Sequence, residues 1–345
     1  KDHKATMNQR IRTAILGCGG FAHRHAANLV SLSEDIELVA FCDQNSQNAV
    51  TYRETYTNGK AAVFTDHHEL IDQVELDLLL IALPPFAHTD EVQLAAEAGI
   101  NLFIEKPIAL TSEQAWSMVQ AVESAGVKSQ VGFMFRFGEA IEIVKQLLHS
   151  GEAGRPGLMT ARYFCNALHA PWWREREKSG GQLVEQVIHM IDLMRYLIGE
   201  PVSVFSRQEN LFHQDVPGYT IEDVSATIYS FANGAMGVVY ATNNAIPGKW
   251  INDYRLVAEK LTAEFSNANT AQLHFTGADP LLSKSIQSDR NMHLAELLDL
   301  IQAIRTGGNT RTPIRDGALS LDMALGAAES AQKRQEVLFS RSESA

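Results

Sequence analysis

A short apolar run, Ile11 to Leu16, leads straight into Gly17-Cys18-Gly19-Gly20-Phe21-Ala22 and then into a helical stretch from His23 to Leu32. Few features restrict a fold as strongly. In G-x-G-x-x-A the first glycine permits a tight turn and the second lets backbone come close to a pyrophosphate. The small Ala22 lets the helix pack closely on the strand. The helix N-terminus offers N–H donors to a phosphate. The pattern is weak alone and gains meaning from its place between strand and helix. A second strand, Ile36 to Cys42, ends at Asp43, the distance at which an acidic residue meets a ribose hydroxyl. Gln44-Asn45-Ser46 follow, with no immediate cation for a 2′-phosphate, so NAD is favoured over NADP.

The alternation continues with a helix near Gln47 to Thr57, a strand at Ala61 to Phe64 and a helix over His67 to Gln73. Leu76 to Leu83 is rich in leucine and isoleucine, as expected of a strand covered on both faces, and closes in Pro84-Pro85-Phe86-Ala87-His88. A helix from Thr89 to Ala98 stops at Gly99, and Leu102-Phe103-Ile104 then ends abruptly in Glu105-Lys106-Pro107. Proline lacks an N–H and restricts its predecessor, so this strand stops there. Strands and helices alternating at this period predict a parallel, doubly wound α/β sheet. Lys106 then lies at the carboxyl edge, where such sheets bind ligands, rather than as an ordinary solvated lysine.

After a helix over Thr111 to Ala125 and a strand at Ser129 to Phe133, the rhythm changes. Ala140 to His149 is an amphipathic helix. Leu158 to Phe164, Val202 to Arg207, Val224 to Phe231 and Ala235 to Thr242 read as strands with few helices between them. Asn233-Gly234 joins the last two as a tight hairpin. Tyr254 to Ala258, Leu261 to Phe265 and Ala271 to Phe275 extend the sheet, and helices over Met292 to Arg305 and Ala318 to Leu338 close the chain. The expectation is a dinucleotide-binding domain over residues 8–128 and an α+β domain over 129–345 with a large, mainly antiparallel open sheet. A face of that sheet is free to pair with another subunit, giving a homodimer or homotetramer.

Within the second domain, Gly180-Gly181 precedes a helix carrying Glu185, His189 and Asp192 at i, i+4 and i+7, a spacing that shares one helical face. A carboxylate one turn before a histidine can hold its tautomer and favour the imidazolium, as a general base requires. The glycine pair would let backbone approach a ligand.

Composition excludes several classes. A net charge of −12 argues against nucleic-acid or anionic-membrane partners. No apolar run is long enough to span a membrane. Cys18, Cys42 and Cys165 are far apart without CxxC spacing, so neither disulfides nor a zinc site is expected, and a cytoplasmic location fits. His23-Arg24-His25 and His67-His68 lack a converging carboxylate or cysteine and read as surface or capping residues rather than metal ligands. Residues 1–6 precede Met7 and are expected to be a remnant of expression.

Together, the glycine loop, Ile81-Ala82-Leu83-Pro84-Pro85 with His88, Glu105-Lys106-Pro107, Gly132 to Phe137, the Ser150-Gly151-Glu152 turn and Gly180-Gly181 leading to Glu185 and His189 resemble the glucose–fructose oxidoreductase/inositol dehydrogenase/MocA family. The resemblance runs from about Ile11 to the C-terminal helices. It implies an NAD(P)-dependent enzyme oxidising a secondary hydroxyl of a sugar or cyclic polyol, or reducing the ketone. Lys106 matches the family's catalytic lysine and His189 its acid/base histidine, while Glu185 stands where aspartate is usual. Gln186 stands where glycine is frequent, and Gln182 departs from a third glycine. Cofactor contacts are expected from Gly17, Gly19, Gly20, Phe21, Ala22, Asp43, Pro84, Pro85, His88, Glu105 and Lys106. Expected substrate contacts are Lys106, Arg136, Arg162, Asn166, His169, Trp172, Trp173, Glu185 and His189. No metal is implied. Two other readings remain open. One is an enzyme that retains NAD and cleaves glycosides by oxidation and elimination; the other is a non-catalytic, nucleotide-dependent regulator.

Overall fold

In a computed structural model, which describes residues 9–339, the chain divides into two compact units. The segment 1–6 lies outside the described residues. Of the described residues, one unit holds 9–109 with 113–134 and 291–318; the other holds 110–112, 135–290 and 319–339.

The first unit contains β1 (Ile11–Leu16), α1 (Ala22–Ser31), β2 (Ile36–Cys42), α2 (Ser46–Thr57), β3 (Ala62–Phe64), α3 (His67–Gln73), β4 (Leu78–Ile81), α4 (Glu91–Glu97), β5 (Asn101–Ile104), α5 (Ser112–Ala125) and β6 (Ser129–Val131). Its six strands lie in the order β3-β2-β1-β4-β5-β6, all parallel. This is the doubly wound arrangement that the alternation predicts. Every residue of β4 is fully buried, as a central strand covered on both faces must be. Local signals place the helix starts: Asn45 accepts from Gln47 N–H at α2, and Asp66 accepts from His68 N–H at α3.

The second unit contains α6 (Glu139–His149), β7 (Pro156–Phe164), α7 (Arg176–Ser179), α8 (Ile188–Ile198), β8 (Pro201–Glu209), β9 (Val224–Phe231), β10 (Met236–Thr242), β11 (Tyr254–Ala258), β12 (Thr262–Asn267), β13 (Thr270–Phe275) and β14 (Leu282–Ile286). The chain closes with α9 (Met292–Thr306), α10 (Ile314–Lys333) and β15 (Val337–Leu338). Nine strands form one sheet in the order β14-β13-β12-β11-β7-β10-β9-β8-β15, antiparallel except where β7 meets β10. The Asn233-Gly234 hairpin joins β9 to β10 as expected, with Gly234 at φ 86°.

Three expectations change. The boundary at 128/129 fails because β6 hydrogen-bonds to β5, and because Leu297, Leu300 and Ile301 of α9 belong to the core beneath β1 and β2. The last helix starts at Ile314 and stops at Lys333. Arg334 then takes a left-handed backbone (φ 54°), and Val337–Leu338 pairs with β8. β14 is an addition; its Leu-Ser-Lys-Ser-Ile sequence carries too weak an alternation to announce a strand.

Candidate active site

In the first unit, the expected cofactor residues gather at the carboxyl ends of β1, β2, β4 and β5. Gly17 donates to Cys42 O at 2.9 Å, Ala82 to Leu16 O at 2.8 Å and Glu105 to Ile81 O at 2.9 Å, which ties these ends together. Gly17 is at φ 90°, and a Cβ there would lie 2.5 Å from Ala82 O, so only glycine fits against β4. Added Cβ atoms at Gly19 and Gly20 would meet nothing within 4 Å. The loop is therefore closed toward the sheet and open above, as a pyrophosphate cradle requires. Phe21 and Ala22 open α1, with Phe21 exposed and Ala22 buried.

Asp43 braces the loop. Its carboxylate accepts from Cys18 N–H at 2.8 Å, from Asn45 N–H at 2.8 Å and from Asn48 Nδ2 at 3.3 Å, leaving lone pairs for a sugar hydroxyl. Pro84 and Pro85 follow β4, and His88 is buried with its Nδ1 2.5 Å from Glu91 Oε1. Burial would raise the Glu91 carboxyl, but the hydrogen bond and charge of His88 outweigh it and hold it low.

Lys106 comes directly after β5, and the Lys106–Pro107 peptide is cis. Glu105 is buried beside it: Oε2 accepts from Lys106 N–H at 3.2 Å and Oε1 lies 2.5 Å from His25 Nε2. A Cβ at Gly132 would lie 2.7 Å from Glu105 Oε2, so that glycine makes room for the carboxylate. Burial would raise the Glu105 carboxyl; the hydrogen bond and charge of His25, with Lys106 and His293, bring it below the ordinary range.

In the second unit, His189 is buried in the first turn of α8, its ring 5.0 Å from that of Phe135. The preceding turn, Leu183–Val187, is π-helical, a widening that recurs at functional sites. Gly180 (φ 78°) and Gly181 (φ 109°) supply the backbone that leads into it, and a Cβ on Gly181 would lie 2.6 Å from Glu222 Oε2. Glu185 accepts a hydrogen bond from the Trp173 indole N–H. The His169 ring lies 4.2 Å from that of Trp173, and its Nε2 is 3.1 Å from Gln186 Nε2. Burial, helped by Arg174 and opposed by Glu185, lowers the His169 imidazolium, so its Nε2 is suited to accept from Gln186. His169, Trp173, Glu185 and Gln186 are thus brought together.

Other expected substrate contacts are differently employed. Arg136 is buried in a two-pronged ion pair with Asp192 (2.8 and 2.6 Å) and lies over the Tyr196 ring. Asp192 also accepts from Ser320 Oγ at 2.9 Å. That pair belongs to the core and removes Asp192 from the face expected for Glu185 and His189. Arg162 is paired with Asp253 at 2.6 and 2.5 Å. It alternates in β7 with buried Met159, Ala161 and Tyr163; Met159 pairs with Gly237, which packs on Met194 of α8. Arg162 therefore sits on the opposite face of the sheet from α8. Asn166 donates to Ala245 O at 2.8 Å and fixes a loop. Trp173 is buried with Tyr219 and Ile221, and Trp172 packs against that group, so packing rather than an open stacking wall describes the pair. An aromatic not anticipated, Trp250, is half-exposed 5.6 Å from the His169 ring and donates to Tyr163 OH at 2.8 Å. Its loop carries no pattern that could have flagged it.

Two histidine readings also change. His67 and His68 do face carboxylates: His67 Nε2 is 2.8 Å from Asp90, and His68 bridges Asp66 (2.9 Å) and Asp90 (3.1 Å) on the surface. His25 is fully buried rather than superficial. Cys18, Cys42 and Cys165 are free and buried, and burial raises each thiol, Cys42 and Cys165 to about 12, so they are poor nucleophiles.

A parallel sheet ordered 3-2-1-4-5-6, with a glycine loop and an acidic residue closing β2, defines a dinucleotide-binding domain of the dehydrogenase type. Residues 11–133 match the oxidoreductase family with an NAD-binding Rossmann fold, and residues 141–264 match the GFO/IDH/MocA C-terminal domain. The chain belongs to the GFO/IDH/MocA family of oxidoreductases. It is 30% identical over 240 residues to scyllo-inositol 2-dehydrogenase (NAD(+)) of Bacillus subtilis, covering 69% of each chain. It is 24% identical to myo-inositol 2-dehydrogenase of Thermotoga maritima, over 95% of this chain and 98% of that one. With D-glucoside 3-dehydrogenase of Escherichia coli it shares 28% identity, over 67% of this chain and 70% of that one. A levoglucosan dehydrogenase solved in complex with NADH and levoglucosan has the same fold, with a TM-score of 0.88 at 22% identity, over 96% of this chain and 99% of that one. Among the described residues no helix is long and apolar enough to cross a membrane.

Proposed function

We propose that the protein oxidises a secondary hydroxyl of a sugar or cyclic polyol, reversibly, with NAD. The observation that carries this reading is Lys106, set directly after β5 on the same sheet edge as the open glycine loop and backed by a buried carboxylate. The similarity to inositol and glucoside dehydrogenases supports the substrate class. Bound NAD would supply the hydride acceptor. Gly19 and Gly20, bare of Cβ contacts, would take its pyrophosphate, and Asp43 its ribose hydroxyls. The Asp43 carboxylate would repel a 2′-phosphate, which favours NAD over NADP.

His189 takes the hydroxyl proton as the carbon gives up hydride. Lys106 donates a hydrogen bond to the oxygen as it becomes a carbonyl and stabilises charge where it forms. Glu185, held by Trp173, supplies the negative charge that steadies the imidazolium. His169 and Gln186 are the remaining polar groups suited to hold substrate hydroxyls. Arg136, Arg162 and Asn166 are outside this scheme. The uncovered face of the nine-stranded sheet, where Phe205, Ile228, Met236, Tyr240 and Val257 are exposed, would form a homo-oligomer interface. A cytoplasmic location accords with three free cysteines.

The test is NAD reduction, followed by absorbance, across a panel of inositols, aldoses and alkyl glycosides, with Lys106→Met as control. At least one polyol or sugar should give turnover that the variant lowers by about 100-fold or more. No reduction with any member, or full turnover in Lys106→Met, would refute the reading.

A further inference from the structure

A second group of titratable side chains lies behind the Lys106 segment, and the reaction described above does not use it. His25 of α1, Glu105 after β5, and His293 and Glu296 of α9 are all buried, with His25 and Glu296 fully so. Arg24 Nη1 lies 2.9 Å from His293 Nε2, and His293 Nδ1 lies 3.2 Å from Glu296 Oε1. A guanidinium only donates, so His293 Nε2 must accept and Nδ1 must carry the proton it gives to Glu296. His25 Nε2 meets Glu105 at 2.5 Å, and Glu105 also accepts from Lys106 N–H. The imidazoles of His25 and His293 and the carboxyl of Glu296 converge within 4.8 Å of one another. Within this group, two buried atoms have no hydrogen-bond partner: His25 Nδ1 and Glu296 Oε2.

The bare Glu296 oxygen carries the inference. Both oxygens of Glu105 have N–H donors, whereas Glu296 has one donor on one oxygen and none on the other. An ionised carboxylate with a bare, fully buried oxygen is costly, and two carboxylates in one dry cluster cannot both be charged cheaply. A protonated Glu296 removes both costs, because the acid form is neutral. The Arg24 cation and the proton on His293 Nδ1 leave the group suited to a proton rather than a metal ion.

We propose that this cluster is a charge-selecting support for Lys106, in which Glu296 keeps a proton, Glu105 carries the negative charge, and His25 holds Glu105 against the Lys106 backbone. His25 and Glu105 are therefore positioning residues that act through Lys106. The surroundings agree. Burial, then the charge of Glu105, raises the Glu296 carboxyl far above its ordinary range, while Glu105 is held low. Burial lowers His293 to about 4, keeping it neutral. Environments that push two carboxyls apart assign one as acid and the other as base. The charged and titratable groups facing the cluster are Arg24 and His25 from α1, Glu105 and Lys106 after β5, and His293 and Glu296 from α9.

The role of Lys106 rests on the proposed dehydrogenase reading, but the protonation state does not, so two readouts keep the failures apart. The first is the infrared carboxylic-acid C=O band of the full-length protein at neutral pH. Wild type should show one buried acid band, lost in Glu296→Gln and kept in Glu105→Gln, where it titrates at lower pH because the neighbouring charge is gone. Absence of the band, its loss in Glu105→Gln instead, or stoichiometric zinc bound to the purified protein would overturn the proposal whatever the substrate. The second readout is turnover with whichever polyol proves active. Glu105→Gln should lower kcat by about tenfold or more with KM for NAD changed by less than about threefold, and Glu296→Gln should cost less than about threefold. His25→Gln, which replaces the lost N–H donor, should restore most of the kcat lost in His25→Leu. Equal kcat losses in Glu105→Gln and Glu296→Gln, or equal losses in the two His25 variants, would overturn it. NAD binding measured by tryptophan fluorescence identifies any variant that has failed to fold, and the infrared assignment then decides.

Discussion

In the proposed reaction the two units contribute in different ways. In the first, backbone does most of the work: Gly17 can approach β4 only without a Cβ, Gly19 and Gly20 leave the loop open, and Gly132 makes room for Glu105. In the second, side chains in a buried mesh do it: Asp192 holds Arg136, Trp173 holds Glu185, and Gln186 meets His169. Backbone recognition suits a cofactor, whose pyrophosphate and ribose are constant. A mesh of side chains can be varied singly, which would suit the substrate selection proposed for the second unit. The contrast predicts that small changes in the first unit act on nucleotide binding, and that changes in the second act on stability or substrate choice.

The strongest way to break that contrast is Gly17→Ala. The left-handed backbone and the close approach to Ala82 should together cost roughly 2–6 kcal/mol. NAD affinity, read by calorimetry, should collapse with it; unimpaired binding would show that the loop can shift. Next comes Asp192→Ala, which takes the two-pronged carboxylate partner from the buried Arg136 charge at a cost of about 3–5 kcal/mol in urea unfolding. If Arg136 were a substrate contact instead, KM would rise while stability held.

A pH series sharpens the comparison further. Buried His293 has its folded value lowered from 6.5 to about 4, so its neutral form favours the folded state above 6.5. That stability is lost as pH falls from 6.5 toward about 4, by on the order of 3 kcal/mol. Glu105, held low, adds to the same acid limb. Glu296 acts in the opposite sense, because a raised carboxyl favours folding at low pH and loses that advantage as pH rises. Thermal melts of His293→Gln should therefore show a shallower fall below pH 6.5 than wild type. The smallest effect is expected at the uncovered sheet face. Ile228→Glu should shift the particle toward smaller mass in light scattering while leaving the melting temperature within a few degrees, as surface changes usually do.

The first unit was far more legible in the sequence. Strand–helix alternation, the glycine loop and Asp43 each follow from local chemistry, and together they point to a parallel, doubly wound sheet and to the edge on which Lys106 stands. The Asn233-Gly234 hairpin was equally plain. What stayed hidden depends on residues distant in the chain. Nothing around Arg136 reveals that Asp192 will meet it in the core, so an arginine near a motif was read as a ligand contact. His25 looked superficial because Glu105, its hydrogen-bond partner, is 80 residues away and His293, whose ring lies 5.8 Å from its own, is farther still. Which face of β7 lies against α8 could not be read from its sequence, so Arg162 was expected to be a substrate contact although it lies on the other face, paired with Asp253. The π-helical turn before His189 has no signature in a pattern read at 3.6 residues per turn.

The central claim is that proton transfer through His189 accompanies hydride transfer from a polyol carbon to NAD. Pre-steady-state NADH formation in His189→Ala, with the substrate that wild type uses best, tests it most directly. The expected result is a rate about 100- to 10,000-fold lower, with NAD affinity unchanged because that residue lies outside the nucleotide-binding unit. An undiminished rate of NADH formation in this variant would contradict the account.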